Sequence, residues 1–164
     1  MNVNSIFSQL GVPAGMMQDV IFFLVVILAS FILAMLIGKH RVVNVIINTY
    51  ITFAILQVVP AGYLTSFTST ELFFFVLLII LTLLGDKLFE ISISGAGFMW
   101  RVIVASFLEV LLLSSLALSF MPKKEALGYV SKLTYPYLTA PDFRLLLMVA
   151  PLAFLLLIHK KLSH

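Results

Sequence analysis

The chain has no cysteine, which excludes disulfides, thiol catalysis and thiolate metal sites. Charge is also scarce, at 10% of 164 residues, where soluble domains carry about a quarter. With 62% hydrophobic residues and a mean hydropathy of +1.18, that composition excludes a water-soluble globular domain. Met1 to Asp19 contains no Lys or Arg, so the charged n-region of a cleaved signal peptide is missing and targeting is expected from the first spanning helix. The three histidines, His40, His159 and His164, form no helix-borne pair at metal-ligand spacing. No Ser-Lys, Ser-His or Asp-Asp pair falls at membrane depth. The sequence therefore implies no catalytic site, no metal and no cofactor. Its net charge of +3 is scattered in short groups at the ends of apolar runs, a placement that anchors helices, and no nucleic-acid partner is expected.

What the chain does have is long apolar runs. Residues 98–120 are nearly unbroken in this respect, and 23 residues at about 1.5 Å each cross a hydrocarbon layer of about 30 Å. Glu109 then lies near the bilayer centre, where a carboxylate costs on the order of 3 kcal/mol, so it should face other helices. Ala105 and Ser106, one turn earlier on the same side, leave room for a neighbour. The fold class expected is all-α: a polytopic helical membrane protein forming a single domain, with spans over 16–37, 42–59, 71–91, 98–120 and 142–158. Two packed hairpins are followed by a short interfacial amphipathic helix over 123–133 and a C-terminal helix.

In the first span, Ser30, Ala34 and Gly38 recur every four residues as a small-residue face. Gly38-Lys39-His40-Arg41 reads as a tight charged turn with Gly38 as a left-handed cap. In the second span Arg41, Asn44, Asn48 and Thr52 share one face, which should look inward because lipid cannot satisfy it. Glu109 lies at the depth of Asn48 and Thr52, and hydrogen bonding to one of them is expected. Pro60 and Gly62 end that helix, and Thr68-Ser69-Thr70-Glu71 has the pattern of a capping box for the third. Ser94-Gly95-Ala96-Gly97 reads as a hairpin turn, not a phosphate loop, because no strand precedes it and no Lys-Ser/Thr follows. Pro151 should kink the last helix, and its run of about 17 residues leaves open a re-entrant segment.

Lys39, Arg41, Asp86, Lys87, Glu90 and Arg101 flank the two hairpin turns and form an ionic cluster at one membrane face, read as salt bridging that locks the hairpins. With five spans and the N-terminus outside, six of the ten basic residues fall inside, the expected bias. The partners implied are the lipid bilayer and either a second copy or another membrane protein.

The first hairpin with its basic turn, the polar-faced second helix closing in proline, and the Ser-Gly turn before the fourth helix together resemble the colicin V production protein family, small bacterial inner-membrane proteins. The resemblance covers residues 20–120 and is mostly topological. Ser94, Gly95 and Arg101 match the family's pattern. Where that family tends to have Ser-Gly, an Asp-Arg pair and spaced glycines, this chain has Ser94-Gly95-Ala96-Gly97, then Arg101, and no glycine inside the fourth helix. The resemblance implies a non-enzymatic scaffold or accessory factor in the cell (inner) membrane. The alternative is a protomer of a small oligomeric channel or transporter using Glu109 and the polar face of the second helix.

Overall fold

The computed structural model describes residues 16–59, 67–88 and 98–160. Among these, every element is helical: α1 (Met17–Val58), α2 (Phe67–Leu88), α3 (Phe98–Phe120), α4 (Lys123–Ala126), α5 (Thr134–Thr139) and α6 (Pro141–Lys160). Among the described residues three stretches are long and apolar enough to cross a membrane, namely Met17–Leu36, Arg41–Val58 and Met99–Phe120, and Thr70–Gly85 is a shorter apolar helix.

Helical backbone is continuous through all 42 residues of α1. No proline lies between Pro13 and Pro60, so nothing in the sequence removes a backbone donor over that stretch. The expected non-helical cap at Gly38 is therefore not formed. The expected hairpin nevertheless is. On a straight helix Phe22 and Leu56 would stand about 51 Å apart. Instead Phe22 packs on the cluster containing Leu118, while Leu56 belongs to the cluster containing Leu116, two residues away on α3. Ala34 packs on Val42, Ile46, Val102 and Ala105. The chain thus turns back between a first arm, Met17–Leu36, and a second arm, Arg41–Val58.

The same clusters orient the other helices. Val42 with Val102 and Leu56 with Leu112 set the second arm parallel to α3. Leu147 joins the Leu116 cluster and Phe154 the Val102 cluster, so α6 is antiparallel to α3. Phe74 and Leu78 of α2 lie at the Leu116 end. Five rods run up and down along one bundle, with the second arm and α3 at its centre.

Proline sets the ends. Val59 is extended (ψ 125°), as the residue before Pro60 must be. Met121 closes α3 on the Ala117 carbonyl at 3.1 Å, and Pro122 stops it. The start of α2 differs from expectation: the helix begins at Phe67, so Thr68 to Glu71 form its first turn and do not precede it as a capping box.

The 123–133 segment also differs, because it is not one surface helix. After Ala126 the chain turns, Gly128 donating to the Glu125 carbonyl at 2.8 Å, where a Cβ would sit only 3.0 Å from that oxygen. Ser131 Oγ then accepts from the Leu133 and Thr134 backbone N–H groups at 3.2 Å each, starting α5. Asp19 accepts from the Ser131 N–H at 2.8 Å and pins this corner to the first arm. Ala126, Val130 and Leu138 are buried against Leu118. The amphipathic pattern is spent partly on the bundle end and not wholly on the membrane surface.

The outer surface is apolar, with Leu24, Ile27, Leu28, Met35, Leu83, Leu146 and Leu156 all exposed. Ser30, Asn44, Asn48, Thr49, Thr52, Ser106, Glu109 and Ser115 are buried. Water would not favour that arrangement, whereas a hydrocarbon solvent does.

Candidate functional site: a buried carboxyl group

Glu109 is fully buried, in the middle of α3 and facing the second arm of α1. Its neighbours along the same face, Ala105, Ser106 and Leu112, are fully buried too, so the phase read from the sequence puts it inside. Its partner is Thr49, where the sequence pointed to Asn48 or Thr52. The reason is rotation: adjacent residues on a helix stand about 100° apart, and depth alone cannot say which of them meets a neighbour. Asn48 turns instead to α2, where Nδ2 donates to the Leu81 carbonyl at 3.1 Å. Gly85 makes that approach possible, because a Cβ there would lie 2.9 Å from Asn48 Nδ2. The polar stripe therefore divides, Asn48 serving α2 and Thr49 serving α3. Asn44 and Thr52 are buried with it, but Arg41, at its head, is exposed and does not face inward.

Hydrogen counting constrains the pair. Thr49 Oγ1 lies 3.0 Å from the Val45 carbonyl and 2.5 Å from Glu109 Oε1. A hydroxyl carries one hydrogen. Thr49 Oγ1 shares that hydrogen between the Val45 carbonyl and Glu109 Oε1, the nearer acceptor. Glu109 Oε2, Ser106 Oγ and Thr52 Oγ1 are buried with no hydrogen-bond partner among the described residues. Thr52 belongs to the second arm, and Ser106 and Glu109 to α3.

A further link escaped the sequence reading. The Tyr50 hydroxyl donates to the Met148 carbonyl of α6. Pro151, fully buried within α6, has no N–H for the Leu147 carbonyl, the residue before the one whose carbonyl Tyr50 reaches. A phenol in an apolar run, level with a proline in another helix, was the available signal. Ser115 adds a tie from α3 to the Leu138 carbonyl of α5 at 2.6 Å.

The ionic cluster is described only in part. Arg41 and Arg101 lie at the same bundle end, beside Val42 and Val102, and Arg101 Nη1 is buried without a hydrogen-bond partner among the described residues. The Lys39, Asp86 and Lys87 side chains and Glu90 lie outside the described residues, as do the Asn4–Leu10 segment and the Ser94–Gly97 turn. Among the described residues no group of three His, Cys, Asp or Glu has metal-binding geometry. No family model, curated protein or solved structure matches this chain.

Proposed function

We propose that the chain is a non-enzymatic, five-span protein of the inner membrane that acts as a scaffold or accessory factor. The observation that carries this reading is the complete burial of Glu109 and its bond to Thr49, which spends the costliest polar group in the bundle on joining two central helices. Supporting it, α6 runs along α3 from Phe143 at the Leu118 end to Phe154 at the Val102 end, as a fifth crossing would. The likeness to colicin V production proteins agrees at the level of topology, with Ser94, Gly95 and Arg101 as the matching residues.

A second reading, a protomer of an oligomeric channel or transporter, is favoured by three buried oxygens on the two central helices, of Thr52, Ser106 and Glu109, that have no hydrogen-bond partner among the described residues. Glu109→Gln separates the two. A scaffold keeps its cellular phenotype in that variant at unchanged membrane abundance, whereas a proton- or ion-handling site loses it, together with acidification-dependent flux in proteoliposomes. For topology, single cysteines at Ser5, Lys132 and Ser163 are labelled in intact cells with an impermeant reagent. Labelling at Ser5 and Lys132 but not at Ser163 is the expected pattern.

A further inference from the structure

At the Leu118 end of the bundle, α4, α5 and the chain between them enclose a cleft of about 410 Å³. Lys123 and Lys132 both line it, with Tyr135 and Thr139 as the other polar residues and Leu127 and Pro136 as apolar wall. Among the described residues no carboxylate lines it. Glu125, adjacent in sequence, lies within electrostatic reach of Glu71 on α2, and Asp19 is engaged by the Ser131 N–H. Tyr129 and Tyr137, side chains that favour the membrane–water boundary, are exposed around this corner with Leu133, and the corner follows directly on the end of the apolar α3.

A cleft lined by two lysines and, among the described residues, by no carboxylate suits a phosphate, and the location supplies one from the bilayer. We propose that this cleft is a binding site for the headgroup of an anionic phospholipid, the lysines pairing with its phosphate while the exposed Tyr129, Leu133 and Tyr137 enter the same leaflet. The lipid then holds the α4–α5 corner at a defined depth against the bundle.

The test is native mass spectrometry of the full-length protein released from detergent micelles containing phosphatidylglycerol or phosphatidylcholine. Phosphatidylglycerol should be retained in preference. In the Lys123→Gln/Lys132→Gln double variant its retention should fall about tenfold, toward that of phosphatidylcholine. Lys124→Gln is the control, because Lys124 is exposed in the same helix but does not line the cleft. Equal loss in Lys124→Gln would reduce the effect to general surface charge, and unchanged retention in the double variant would remove the site; either result overturns the proposal. Displacement of the lipid by an equal concentration of glycerol 3-phosphate would overturn it in favour of a soluble phosphate ligand.

Discussion

The two arms of α1 are one helix by backbone and two different objects by environment. Met17–Leu36 has a mean hydropathy of 2.8 and is only 11% buried; Arg41–Val58 has 1.4 and is 50% buried. In water the more apolar arm would be the buried one. Lipid reverses the order, because apolar surface gains nothing by leaving hydrocarbon while unpaired amides and hydroxyls lose heavily by staying in it. The first arm touches the bundle at a few points, Ser30, Ala34 and Phe22 among them, and otherwise faces outward. The second arm carries the polar bonds that specify which helices are neighbours.

The sharpest way to break this contrast is to overpack the centre. Ala105 has no exposed surface and packs with Val42, Ile46 and Val102. Ala105→Leu should push α3 from the second arm and cost about 1–3 kcal/mol, read as a lowered midpoint of detergent-induced unfolding. A wild-type midpoint would show that the two central helices do not touch there.

A smaller effect is expected at the carboxyl group. Glu109→Leu leaves Thr49 without its partner across the interface and should lose on the order of 1 kcal/mol of helix association. Glu109→Gln keeps size and hydrogen bonding and should be nearly silent in the same assay. Equal losses in the two variants would mean that the acid itself, and not its hydrogen bond, holds the helices.

Smaller again is Gly85→Ala. The added methyl group meets the Asn48 amide and should break its bond to the Leu81 carbonyl, at a cost of about 0.6 kcal/mol. Pairing Gly85→Ala with Asn48→Ala in a double-mutant cycle checks this: once Asn48 is truncated, the alanine at 85 should cost little more.

The smallest effect belongs to the first arm. Leu28→Ala removes side-chain bulk from an exposed position and should change stability by less than about 0.5 kcal/mol in a thermal melt. A loss as large as that at Ala105 would turn the comparison around, showing that the outer face of this arm is covered by another protein chain, a second copy included.

Much of the fold was legible along the chain. The 98–120 run appears as α3 with those same ends, and Pro60, Pro122 and Pro141 punctuate the helices because a ring nitrogen has no hydrogen to donate. The inward phase of Asn44, Asn48, Thr52 and Glu109 followed from a 3.6-residue period and the cost of polar groups in lipid. The 123–133 segment misled the reading because its apolar residues suit both a membrane surface and a bundle end. Gly128, at the turn, and Ser131, whose hydroxyl accepts from the Leu133 and Thr134 N–H groups, decide for two short helices.

The sequence by itself therefore determined that the chain is helical, where most helices end, and that Asn44, Asn48, Thr52 and Glu109 point inward. These are local consequences of propensity, proline chemistry and solvation. The tertiary structure alone decided the pairings: Thr49 and not Asn48 against Glu109, Asn48 against the Leu81 carbonyl, Tyr50 against the Met148 carbonyl, and a hairpin whose backbone stays helical. A periodic pattern gives a helix its phase and depth. The rotation of one helix against the next is set by side-chain packing over distances of an ångström or two, which no single helix contains.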